Sequence, residues 1–132
     1  MYPTMSMDNG QLPPMPQQQL QPVATKVLVL LNMVSDEDLA TDDDYNGLVE
    51  EVREECAKYG TLLQVQIPRY VGTSPETGTT IEASAIRKVY LSFATVEDAL
   101  KAQHELSGRQ FGPNVVETQF YPETDFAVGL FR

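Results

Sequence analysis

What most constrains the fold of this chain is a set of changes in hydrophobic period between residues 27 and 120. Val27-Leu28-Val29-Leu30-Leu31 is a short apolar run closed by Asn32, the pattern of a buried strand. Ser35 to Leu39 reads as a loop or short turn, with Asp43 or Asp44 capping the segment that follows. There, Tyr45, Leu48, Val49, Val52, Cys56 and Tyr59 recur at offsets of three and four. That spacing predicts an amphipathic helix, with Gly60 as the C′ residue that stops it. Leu63, Val65 and Ile67 alternate with Gln64 and Gln66 in a second strand closed by Pro68. Residues 70–84 hold Gly72, Pro75 and Gly78 among serines and threonines, which predicts a long, mobile hairpin loop. Val89, Leu91 and Phe93 alternate with Lys88, Tyr90 and Ser92 in a third strand. Val96, Ala99, Ala102 and Leu106 mark a second helix ended by Gly108, and a last strand runs from about Val115 to Phe120.

The order is βαββαβ. Four strands and two crossover helices form an α+β, ferredoxin-like arrangement, a four-stranded antiparallel sheet with both helices on one face. The tail from Pro122 to Arg132 carries Phe126, Leu130 and Phe131, and predicts an extra C-terminal helix lying across the open face. Residues 1–24 are of another kind, with proline, runs such as Gln17-Gln18-Gln19, and Asp8 as the single charge. Such a composition buries too little apolar surface to offset its chain entropy. It predicts a disordered linker at 1–24, ahead of a domain at 25–132.

Charge is distributed unevenly. Between Ser35 and Glu55 ten acidic residues stand against Arg53 alone, so this window carries −9 of the formal −10. Such a surface repels phosphate and attracts cationic segments. The one cysteine, Cys56, allows no internal disulfide and fits a reducing compartment. No run of about 18 apolar residues suggests a membrane span, and the N-terminus lacks a signal-peptide layout. These features predict a soluble intracellular protein or fragment. His104, the only histidine, has no serine or cysteine partner at a meaningful spacing, and no glycine-rich loop cradles a phosphate. No enzyme activity, metal or cofactor is therefore expected.

Lys26 to Tyr121 resembles the RNA recognition motif. In that family aromatic residues on the open sheet face stack on bases. Strand alternation assigns those positions to Leu28 in the first strand and to Lys88 and Tyr90 in the third. Two of three platforms are then missing, and each stacked base is worth roughly 1–3 kcal/mol. An RNA-binding reading through Tyr90, Lys88 and Arg87 is the alternative, and the acidic window weighs against it.

A narrower resemblance lies in Asn32-Met33-Val34, Asp42-Asp43-Asp44-Tyr45, and the run Val49 to Gly60. Together with Ile67-Pro68-Arg69 and Gly108-Arg109-Gln110-Phe111, these stretches are similar to the U2AF homology motif, an RNA-recognition-motif-like family of splicing factors. The resemblance implies a nuclear domain that binds a tryptophan within a short basic segment of another splicing factor, and the chain, with no tryptophan of its own to offer a second copy, is expected to be a monomer. It names the branch-point-binding protein and the large subunit of splicing factor 3b as partners. Phe111 would stack on the tryptophan, and Arg109 would lie over the same indole, held by Glu55. Glu51 and Asp44 would meet the ligand's basic residues, and Leu48, Val52 and Leu100 would floor the pocket. Helix geometry supports this in part, because Asp44, Glu51 and Glu55 fall on one flank of the stripe centred on Val52. Gly47 departs from the family, whose best-known member is acidic there. Taken singly, Phe111 reads as a core residue, Arg109 as a solvated loop arginine and the acidic helix as soluble surface. Their joint occurrence favours the pocket.

Overall fold

The computed structural model describes residues 24–111 and 113–132. The stretch read as a linker lies outside them, apart from Ala24. Strand β1 (Val27–Leu31) leads into two short-spaced helices, α1 (Asp36–Ala40) and α2 (Asp42–Cys56). Strands β2 (Leu62–Gln66), β3 (Gly72–Ser74), β4 (Thr79–Ile81) and β5 (Val89–Phe93) follow, then helix α3 (Val96–Leu106). A small hairpin, β6 (Gln110–Phe111) and β7 (Asn114–Val115), precedes β8 (Glu117–Tyr121), α4 (Glu123–Ala127) and β9 (Leu130–Phe131). The main sheet has the order β2-β5-β1-β8 with every neighbour antiparallel. With α1–α2 and α3 as crossovers, this is the predicted βαββαβ topology.

The acidic window differs from its reading as a loop followed by one helix. Ser35 opens α1 through a capping box: its hydroxyl accepts from the Asp38 amide, and its own amide donates to the Asp38 carboxylate at 3.0 Å. Thr41, rather than Asp43 or Asp44, caps α2, accepting from the Asp44 amide at 3.1 Å. Asp42, Asp43 and Asp44 therefore occupy the first turn of α2, where negative charge complements the helix dipole.

Helix α2 ends at Cys56, capped by Ala57, and Gly60 is not left-handed. Gly60 is small for another reason. A Cβ there would lie 2.4 Å from Cβ and Cγ of Asp98 on α3, whose carboxylate accepts the Thr61 amide at 3.1 Å. Gly60→Ala is expected to destabilise the domain by about 1–3 kcal/mol, the usual cost of overpacking. Urea unfolding checks this; an unchanged midpoint would mean that Asp98 can move aside. Gly108, by contrast, has the predicted left-handed backbone at φ 81°, just past α3.

The core lies between the helices and one sheet face. Leu48, Val52 and Cys56 of α2 and Ala99, Ala102 and Leu106 of α3 pack on Leu28, Leu30, Val89, Leu91 and Phe93. Burial drives the Cys56 thiol up to about 12, so it stays protonated. Leu63, expected to point inward, sits where the β2–β5 register shifts and is 62% exposed.

The open face also departs from expectation. Leu28 pairs with Leu91 on the helix side, whereas Val29 pairs with Tyr90 and Val27 with Tyr121 on the other. The slot assigned to Leu28 thus belongs to Val27 or Val29. Residues 70–84, expected to be a mobile loop, form the β3–β4 hairpin and a 3-10 turn (Ala83–Ala85). Strand β9 joins β4 in parallel, giving a second sheet of order β9-β4-β3. The C-terminal helix is present as expected, and Phe131 lies against Tyr90 with centroids 5.0 Å apart. Tyr90 is wholly buried, and its hydroxyl donates to the Arg132 carbonyl at 2.9 Å.

Candidate functional site

Helix α2 presents Asp44, Glu51 and Glu55 along one flank. Asp44 and Glu51 are exposed. Glu55, one turn beyond Glu51, is part of a network at the C-terminal end of the helix. The Tyr59 hydroxyl donates to Glu55 Oε2 at 2.7 Å, and the Lys58 ammonium reaches Oε1 at 3.1 Å. Arg109 Nη1 lies 2.5 Å from Glu55 Oε2 and 2.7 Å from the Tyr59 oxygen. The expected Arg109–Glu55 pair is therefore present, with Tyr59 as a third member.

Local backbone geometry puts Arg109 there. After α3, the left-handed Gly108 turns the chain and donates its amide to the Val116 carbonyl at 2.8 Å. The Arg109 amide bonds the Leu106 carbonyl at 3.0 Å, and its carbonyl accepts the Val116 amide at 2.8 Å. Arg109 is thus tied to the helix end on one side and to the strand approach on the other. Phe111 pairs with Asn114 in the β6–β7 hairpin that follows. Its side chain lies outside the described structure.

The Glu55 carboxyl is held down to about 2, first by the Tyr59 hydroxyl and then by Lys58 and Arg109, against the opposing effect of burial. Its ordinary value is 4.5. The folded state thus favours the ionised form, so the network's stabilisation is complete above that pH and is lost as pH falls toward about 2. In a carboxyl carbon NMR titration, Glu55 is expected to remain ionised at pH 3.5. A midpoint in the ordinary glutamate range, about 4.3, would rule the network out in solution.

Beside this network lies a cleft of about 530 Å³ between the end of α2 and α3, with Tyr59, Leu100 and His104 in its walls. Leu100 is 41% exposed and lines it. Leu48 and Val52 do not. Both face the sheet as core residues, at 8% and 1% exposure, so the stripe they define packs inward and leaves Leu100 with Tyr59 at the cleft. Tyr59 is the site residue that sequence reasoning misses, since its period places it in the core stripe; its i, i+4 spacing from Glu55 is the available signal. The residues of the RNA-binding alternative are engaged within the chain. Tyr90 is buried, Lys88 reaches the Arg132 carbonyl at 3.2 Å, and Arg87 pairs with Asp36 at 2.9 Å.

Fold and site together define an RNA-recognition-motif-like domain with a covered sheet and a charged cleft on its helical side. Residues 13–126 match the family described as "Domain of unknown function (DUF8489)", and the chain belongs to that family. It is 43% identical over 112 residues to one U2af large-subunit splicing factor of Nicotiana plumbaginifolia, covering 83% of this chain and 18% of that protein. A second U2af large-subunit splicing factor of the same species is 41% identical over 115 residues, covering 86% of this chain and 20% of its own length. The chain is thus homologous to a segment of these splicing factors and spans about a fifth of their length. Among solved structures, that of the RNA15 RRM aligns with a TM-score of 0.48 at 17% identity, covering 80% of this chain and 99% of the other.

Proposed function

We propose that this domain is a U2AF homology motif of a nuclear pre-mRNA splicing factor, one that captures a tryptophan carried by a short basic segment of another splicing protein. The observation that carries this reading is the Glu55–Tyr59–Arg109 network, whose Tyr59 also lines the Leu100 cleft. It holds a planar guanidinium, 43% exposed, two residues before Phe111. A cation over an indole contributes about 0.5–2 kcal/mol. The carboxylates of Glu51 and Asp44 favour lysine and arginine in the ligand, chiefly through the association rate. By resemblance, the partners are the branch-point-binding protein and the large subunit of splicing factor 3b. The domain acts as a binding module in recognition of the 3′ splice site.

The chain contains no tryptophan, so indole emission reports the ligand alone. Titration of a Lys/Arg-rich peptide bearing one tryptophan is expected to shift and saturate that emission. No change at high micromolar protein sinks the reading. RNA capture by the open sheet is the weaker reading, because Tyr90 is enclosed. Filter binding to polypyrimidine RNA separates the two, since phosphate contacts bring a steep salt dependence.

A further inference from the structure

The second sheet and α4 leave two grooves along β2, of about 410 and 340 Å³, which share Gln66 and Thr79. The larger is walled by Tyr45 from the helix layer, Gln66 from the main sheet, and Thr73 and Ser74 from the hairpin. Gln66 puts it at the C-terminal end of β2, the terminal strand of its sheet. Among the described residues, no backbone hydrogen bond beyond the strand ladders involves Leu62 to Gln66. Edge strands are commonly blunted by charge or proline. The sequence Leu62-Leu63-Gln64-Val65-Gln66 has neither, and its one irregularity, the register shift between Leu62 and Gln64, leaves Gln64 to Gln66 in regular pairing, whereas the opposite edge, β8, opens with Glu117.

The chemistry of the grooves is unlike that of the rest of the surface. In a chain of formal charge −10, neither lining contains a carboxylate among the described residues. The one cation in the linings, Arg69, is neutralised by Asp42 at 2.8 Å and holds the Leu39 carbonyl at 2.9 Å. Its guanidinium also stands 4.6 Å from the ring of Tyr45 and 5.3 Å from that of Tyr70. Tyr70 thus faces this guanidinium while 71% exposed, and Val71 beside it is 61% exposed. An exposed aromatic beside an exposed aliphatic offers an apolar side chain a surface to bury. Neutral walls offer nothing to phosphates, while an unpaired strand edge matches the main chain of an extended peptide.

We propose that the outer edge of β2, with its adjoining groove, docks an extended, uncharged segment of a partner protein by strand addition, with an apolar side chain seated on Tyr70 and Val71. This surface is separate from the Arg109 cleft and does not depend on what that cleft binds. The test is selection from a displayed peptide library lacking tryptophan against the full chain, followed by amide NMR mapping of the synthesised winners. Binders are expected to shift residues 62–81, to weaken at least tenfold in both Leu63→Lys and Tyr70→Ala, and to be unaffected by Arg109→Ala. Both substituted side chains are exposed, so folding is preserved, which amide spectra of the variants verify. The proposal fails if no sequence is enriched, if shifts fall on the Arg109 cleft, or if the two variants bind as the parent does. It also fails if a uridine-rich hexanucleotide shifts residues 62–81 while peptides do not.

Discussion

Replacing Arg109 by alanine is expected to weaken a tryptophan-bearing basic peptide about thirtyfold, the effect of losing one anchor worth roughly 2 kcal/mol. Stability should hardly change. The Arg109–Glu55 pair is partly exposed, and such pairs contribute at most about 1 kcal/mol. Glu55 also keeps its Tyr59 and Lys58 partners, so no carboxylate is stranded. Arg109→Lys separates charge from shape. If the guanidinium acts by lying flat on the indole, lysine keeps the charge and recovers little of the affinity. If it acts only as a positive charge, lysine recovers most of it. Phe111→Ala is expected to remove binding altogether, by its place in the motif. Glu51→Lys should reduce affinity several-fold and flatten its salt dependence, because its partners on the ligand are screened surface charges. Indole emission measures all four variants, with circular dichroism as the folding control. Wild-type affinity in both Arg109→Ala and Phe111→Ala would remove this site from consideration.

Part of this is readable in the sequence, for identifiable reasons. The βαββαβ order follows from local period, and local period survives in the fold. Which face of β1 is buried against the helices does not follow, because Val27 to Leu31 is apolar at every position and has no alternation to read. Only the Val29–Tyr90 and Leu28–Leu91 pairing settles it. The capping box of Ser35 and Asp38 is present as a pattern, but a five-residue helix is too short to show an apolar stripe. Ordering of residues 70–84 depends on parallel pairing of Thr80 and Ile81 with Leu130 and Phe131, about fifty residues away, which leaves no local trace. At the site, the Arg109–Glu55 pair is formed and Leu100 lines a cleft with Tyr59. Leu48 and Val52 are core residues instead, because a helix wheel gives the direction of a stripe but not what it packs against. That distinction requires the sheet.

Tyr90→Ala is expected to cost about 3–5 kcal/mol, the range for emptying a large aromatic site in a core. For a domain of this size, that lowers the Tm by more than about 10 °C. The reason is geometric. The ring meets Tyr121 and Phe131 edge-on, with centroids 5.1 and 5.0 Å apart, so its removal undermines the second sheet as well as the first. Tyr90→Phe keeps the ring and loses only the bond to the Arg132 carbonyl, a cost of about 1 kcal/mol. Burial also raises the Tyr90 phenol above its usual 10.0, so this group's share of stability is intact below that pH and declines as pH rises past it. Thermal melts of the two variants decide between two pictures of this face. A tyrosine standing on an open nucleic-acid platform can be truncated within about 0.5 kcal/mol, as surface positions usually can. A tyrosine that pins the C-terminal segment cannot. In that case a large loss in Tyr90→Ala with a small one in Tyr90→Phe means that the ring, more than its hydroxyl, holds the C-terminal segment on the sheet.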